Sequence, residues 1–193
     1  MKTAWLFGQS SKFSKQIIVE LNNQGYNTTG FGRSNVDYLN FDNFIKDKQP
    51  PDVLVLNANV EEKIALIIDT FNYRSVELKQ IDEMLLSFSP IFLFFVKLLK
   101  WIESKGKTKS ICGISSSITK HPHIENKYIM YAVLRSMLQQ VVFSASNNVS
   151  NAFCVSPSYI DANNSKEYAV SVVELLHNNL AQRTVIDLNE YIR

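Results

Sequence analysis

The sequence predicts a three-layer α/β fold: a doubly wound parallel sheet with helices packed on both faces. Apolar runs alternate with amphipathic ones from one end of the chain to the other. Those runs are also too uniformly apolar to leave one face wet, as expected of strands buried on both faces of a parallel sheet. A third observation bounds the scale. With 193 residues, 46% hydrophobic and 20% charged, the chain suits a single domain (1–193) with a core that needs no disulfide or metal staple.

Each element follows in order. TAWLFG reads as a short buried strand, and SKFSKQIIVELNNQG as a helix with Ile17, Ile18 and Leu21 on one face and Gly25 past its end. YNTTGFGR is a second strand, and NVDYLNF a third, leading into a short helix FDNFIKDK that Pro50 and Pro51 stop. DVLVLNAN is a continuous branched run bounded by Pro and Asn, the strongest strand signal in the chain. A long helical stretch then covers residues 61–104, with breaks expected near Asn72 and Pro90. KSICGISS, NAFCVSPSYI and TVIDLNEYI read as the remaining strands, separated by helices over KYIMYAVLRSMLQQVVFSAS and residues 165–180. Six or seven strands in β-to-α order make the architecture Rossmann-like, with no repeat, linker or low-complexity tract.

Composition excludes several function classes. A formal charge of +2 argues for neither nucleic acid nor an anionic membrane surface as partner. Cys112 and Cys154 both lie in apolar strands, which implies buried reduced thiols. MKTAWLFGQS lacks a signal-peptide pattern, and the apolar run from Ser87 to Leu99 is interrupted by Lys97 and shorter than a membrane span. A cytoplasmic location is expected. His121 and His123 flank Pro122 without a third or fourth ligand at metal-site spacing, so no metal is expected.

In doubly wound sheets, ligands bind beyond the carboxyl ends of the strands. Four such ends carry polar residues: Gly8 to Ser14, Asn57 to Asn59, Ser115 to Ser117, and Pro157 to Asp161. Tyr131 and Arg135, four residues apart and hence on one helix face, follow the serine cluster. In this order and spacing the motifs resemble the short-chain dehydrogenase/reductase family. Its pattern is a TGxxxGxG turn, NNAG, a serine, YxxxK and PG. The resemblance runs from Thr3 to the last strand, and no single motif is intact.

The resemblance implies an NAD(P)-dependent oxidoreductase that reduces a carbonyl or oxidises an alcohol. The substrate would be a small molecule or a carrier-attached one. Gly8 keeps the first glycine of the turn, while Lys12 and Ser14 stand where the second and third would be. Ser10, Ser11 and Ser14 offer hydroxyls, and Lys12 a charge, to a pyrophosphate at the helix N-terminus. Arg33 and Ser34, just past the second strand, sit where the family meets the 2′-phosphate of NADP, which favours NADP over NAD. Asn57 and Ala58 match NNAG directly. Asn59 replaces its glycine with the residue that best tolerates a left-handed backbone. Pro157 matches the proline of PG, with Ser158 for the glycine and Asp161 near the threonine that follows in the family.

Ser116 takes the family serine, with Ser115 or Ser117 in its place after a one-residue slip. Tyr131 takes the acid/base tyrosine. Arg135 takes the lysine, which in the family holds the ribose and lowers the tyrosine pKa. Arginine keeps the charge but is longer, planar and differently aimed. The family's helper asparagine falls near Ser87, and the short connection before Ser165 leaves little chain for a lid. The competing class is a catalytically degenerate relative: a scaffold, subunit partner or nucleotide sensor. The family also pairs the helix bearing Phe92, Phe94, Phe95 and Leu98 with that bearing Tyr131 across a subunit interface, implying a homodimer or homotetramer.

Overall fold

The structure is a computed structural model and describes residues 1–57, 78–116, 119, 129–145, 149–157, 160, 164–178 and 183–192. Its described elements are β1 (Lys2–Phe7), α1 (Lys12–Asn23), β2 (Tyr26–Phe31), α2 (Phe41–Ile45), β3 (Val53–Leu56) and α3 (Leu78–Lys105). They continue with β4 (Ser110–Ile114), α4 (Ile129–Ser144), β5 (Asn151–Ser156), α5 (Ser165–His177), β6 (Thr184–Asp187) and α6 (Leu188–Tyr191).

The strands form one six-stranded sheet in the order β2-β1-β3-β4-β5-β6, every pair parallel. Alternation along each strand divides the core between the two faces. Trp5, Phe7, Leu54 and Ile111 face α3 and α4, while Ala4, Leu6, Val55 and Cys112 face α1 and α5. The α3/α4 side is rich in aromatic rings, with Phe7 and Phe31 stacked at 4.9 Å and Phe44 edge-on to Phe94 at 5.1 Å. The sheet winds in both directions from β1, which pairs with β2 on one side and β3 on the other. A crevice therefore opens beyond the carboxyl ends of β1 and β3, at the topological switch point.

Three sequence expectations are corrected. NVDYLNF forms no strand; its polar side chains capture the backbone that a ladder would need. Asn35 Oδ1 accepts from the Gly32 amide at 2.7 Å, Asp37 Oδ1 from the Leu39 amide at 2.9 Å, and Asn40 caps α2. The long helix does not break at Pro90. It runs through it because Phe88, Ile91, Phe94 and Phe95, on both sides of the proline, bury into the same core. Leu86, whose carbonyl loses its amide partner to the proline, is 74% exposed, so the gap in the ladder falls on the solvent side of the helix. The last strand stops at Asp187, whose carboxylate accepts from the Asn189 amide at 3.0 Å and starts α6. The break expected near Asn72 lies outside the described residues.

By length and composition alone, α3 over Ile81–Lys105 could cross a membrane, contrary to the short run read in the sequence. In the fold its apolar stripe of Phe94, Phe95, Leu98 and Ile102 is core, and Lys97 and Lys100 lie on the exposed side.

Candidate active site

The first turn is built by a glycine that nothing else can replace. Gly8 has φ +84°, and a Cβ there would stand 2.0 Å from the Asn57 carbonyl oxygen. The turn therefore lies directly against the end of β3. Its amides at Gly8 and Gln9 both donate to the Phe31 carbonyl, at 2.8 and 3.1 Å, which ties it to β2 as well. Helix α1 starts immediately after. Ser11 is its N-cap, with Oγ accepting from the Ser14 amide at 3.0 Å. The Lys12 and Phe13 amides have no protein acceptor among the described residues, which leaves two orphan donors at the positive end of the helix dipole.

Asn57 stands at the centre. It is 5% exposed, and its amide nitrogen Nδ2 donates to Ser11 Oγ at 3.3 Å and Ser14 Oγ at 3.0 Å. Its Oδ1 accepts from Arg135 Nη1 at 3.1 Å, and the same nitrogen donates to the Ile114 carbonyl at 2.8 Å. The Arg135 guanidinium also lies over the Tyr131 ring, 5.0 Å from its centroid. One side-chain network thus joins the start of α1, the ends of β3 and β4, and the face of α4. Ser14, fully buried, has its hydroxyl engaged within this network.

Two hollows meet at Asn57. One, of about 310 Å³, is lined by Lys12, Asn57, Ser116, Tyr131, Arg135 and Pro157, with Ser11 and Ser115 beside them. The other, of about 220 Å³, is lined by Gly8, Ser10, Arg33, Ser34 and Tyr38. In the second, burial pushes the Tyr38 hydroxyl up to about 12, against the smaller lowering effect of the Arg33 charge. A larger and more apolar groove of about 870 Å³ lies elsewhere, between α3 and α4, and contains none of these groups.

The structure therefore brings Ser116, Tyr131 and Arg135 to one cleft, and Gly8, Ser10, Arg33 and Ser34 to the adjoining one. Ala58, Asn59, Ser117, His121, His123, Ser158 and Asp161 lie outside the described residues. Among the described residues the Tyr131 hydroxyl has no hydrogen-bond partner. Ser115 is held by Gln139, whose Nε2 donates to Ser115 Oγ at 2.6 Å and to Thr119 Oγ1 at 3.0 Å. Sequence reasoning missed Gln139. The signal was present, since residues 131, 135 and 139 form a polar line at helical spacing on an apolar helix. It also missed Ser156 at the end of β5, whose hydroxyl is fully buried and has no partner among the described residues.

No family model matches the chain, and no curated protein sequence does either. Solved structures do. ElxO with NADP bound aligns at a TM-score of 0.73 and 14% identity, over 97% of this chain and 96% of that one. A Serratia marcescens short-chain dehydrogenase/reductase variant gives 0.70 at 15% identity, over 96% and 95%. The chain has the short-chain dehydrogenase fold. A ribose-5-phosphate isomerase from Brucella melitensis 16M also aligns, at 0.72 and 13% identity over 96% of this chain and 90% of that one. The fold alone therefore does not carry the activity.

Within the short-chain dehydrogenase fold, the residues present fit a dinucleotide. The orphan amides of Lys12 and Phe13, which line the larger of the two hollows, suit a pyrophosphate, and the two hollows share Asn57. The side chains at positions 12 and 14 leave the Gly8 turn intact. Lys12 is exposed, and Ser14 is buried beneath the turn.

Proposed function

We propose that the protein is an NADP(H)-dependent oxidoreductase acting on a carbonyl or alcohol, with Tyr131 as acid/base and Ser116 polarising the substrate oxygen. The observation that carries this reading is the convergence of Tyr131, Arg135 and Ser116 on one cleft with the N-terminus of α1. NADPH, when bound, supplies a hydride. In this reading the Lys12 and Phe13 amides and the Lys12 ammonium hold its pyrophosphate. Arg33 and Ser34 hold the 2′-phosphate, which favours NADP over NAD. The Tyr131 hydroxyl would give its proton to the carbonyl oxygen, and solvent would then restore the phenol. The Arg135 guanidinium, packed over the ring face, holds Tyr131 in the cleft.

Cytoplasmic location and a homodimer or homotetramer belong to the same reading. Leu93, Val96, Val133 and Met137, exposed on α3 and α4, supply an apolar face for subunit pairing. A second reading is a nucleotide sensor or subunit scaffold without chemistry. It is favoured by the Arg135 nitrogen committed to Asn57 and Ile114, which leaves that nitrogen unable to hold a ribose.

Fluorescence titration with NADPH and NADH, followed by a carbonyl panel with wild type and Tyr131→Phe, tests the proposal. Binding of NADPH with turnover lost in Tyr131→Phe is the expected result. No binding at millimolar cofactor removes both the oxidoreductase and the sensor. Binding without turnover of any carbonyl leaves the sensor.

A further inference from the structure

Arg135 is a half-buried cation with no carboxylate partner among the described residues. Charges in such positions are normally paired. The partners it does have are neutral: the Asn57 amide oxygen, the Ile114 carbonyl and the Tyr131 ring. They also occupy the guanidinium in a specific way. Both protons of Nη1 are directed to the strand ends, since one nitrogen donates to Asn57 Oδ1 and to the Ile114 carbonyl. A guanidinium has five N–H donors. The three that remain lie on Nε and Nη2, whose edge forms the side-on fork that receives two oxygens of one carboxylate. The described lining of the cleft contains Lys12 as a second cation and no acidic side chain.

A flexible ammonium at this place would serve any nearby oxygen. A guanidinium pinned by one nitrogen and by an aromatic ring presents a fixed pair of donors instead. It does so beside Tyr131, the one phenol among the described residues that line the cleft. We propose that the Nε/Nη2 fork of Arg135 receives the carboxylate of a small oxo-acid or hydroxy-acid substrate, with the adjacent carbonyl or hydroxyl at Tyr131. The assignment of the reacting oxygen to Tyr131 rests on the oxidoreductase reading; that of the carboxylate rests on the guanidinium geometry. Lys12, on the α1 side of the cleft, is left to the cofactor.

Calorimetric titration of the full chain with pyruvate, acetoacetate and phenylpyruvate, each beside its methyl ester, tests this without cofactor and again with saturating NADP. At least one acid should bind ten times or more tighter than its ester and should shift the Arg135 Nε–H resonance, which its ester leaves in place. Arg135→Gln should abolish the preference for acid over ester. Asn57→Asp retains the arginine but places a carboxylate against it, and should lower acid affinity by a similar factor. Circular dichroism and urea midpoints identify variants that fail to fold, and the resonance shift in wild type needs no variant. Esters binding as well as acids, or an unmoved Arg135 resonance with every acid, would overturn the proposal. Failure of NADPH to bind while the acids still do would overturn the oxidoreductase reading and leave the carboxylate site standing.

Discussion

Gly8 and Gly25 offer a matched pair of substitutions that weighs the closeness of the first turn to β3. Both have positive φ, +84° and +80°, so alanine is strained by backbone alone at either place. That strain is about 1–2 kcal/mol, and the stiffer unfolded chain returns about 0.4–1 kcal/mol. A Cβ at Gly25 meets nothing within 4 Å, so Gly25→Ala should cost only the difference, roughly 1 kcal/mol. At Gly8 the same atom would stand 2.0 Å from the Asn57 carbonyl oxygen and 3.2 Å from Asn57 Cβ. The turn must then move away from β3 by more than an ångström. That movement adds about 1–3 kcal/mol of overpacking. It also loosens the Asn57 amide bond to the Phe7 carbonyl, now 3.1 Å, worth about 1 kcal/mol more. Gly8→Ala should therefore cost about 3–5 kcal/mol in total. Urea denaturation followed by tryptophan fluorescence reads both variants against wild type. Equal midpoints for Gly8→Ala and Gly25→Ala would refute the close approach on which the crevice depends.

Arg33→Ala should weaken NADPH about tenfold, as for the loss of one charge-assisted hydrogen bond, and leave NADH within twofold; equal losses would remove Arg33 from the phosphate. Burial pushes the Cys154 thiol up to about 12 and the Cys112 thiol well above its usual range. Neither should label with a thiol reagent in the native state at pH 8, and both should label in urea; rapid native labelling would contradict their burial. Burial works to raise the pKa of Asp52, but its hydrogen bonds from Thr3 and the charges of Lys107 and Lys109 outweigh that and hold it below 3.8. A folded-state value lowered in this way stabilises the protein above the unfolded value, and the stabilisation is lost as pH falls through the folded one. Wild-type urea midpoints should therefore fall more steeply below pH 3.8 than those of Asp52→Asn, and parallel acid limbs would exclude this linkage.

The inner strands were legible because burial on both faces leaves a mark on every residue, whereas the edge strands β2 and β6 are partly exposed. Val53–Leu56 and Ser110–Ile114 are buried throughout, and both read as continuous runs. NVDYLNF carried a similar apolar content but failed as a strand, because Asn35, Asp37 and Asn40 bond locally with backbone groups. Pattern reading counts such residues as polar and misses that they compete for the ladder. At the site, the i, i+4 relation of Tyr131 and Arg135 was readable from helix geometry. The partners of Arg135 were not. Asn57 lies 78 residues earlier in the chain, and only the closed sheet brings β3 under α4.

That long-range pairing also shows what a guanidinium does at position 135 that an ammonium would not. The Asn57 side chain has a donor end and an acceptor end, and its surroundings decide which way they point. The guanidinium can only donate, so Oδ1 must face Arg135 and Nδ2 must face the serines at the start of α1. A lysine there would carry the charge on a single tip. To meet Asn57 and Ile114 as Arg135 Nη1 does, it would direct two of its three protons to them, leaving one for any ligand. Arginine meets the same two acceptors with one nitrogen and keeps three donors on the other side. An arginine at position 135 can therefore do two things at once. Nη1 ties the two strand ends together, and Nε and Nη2 are the donors left for the carboxylate proposed above.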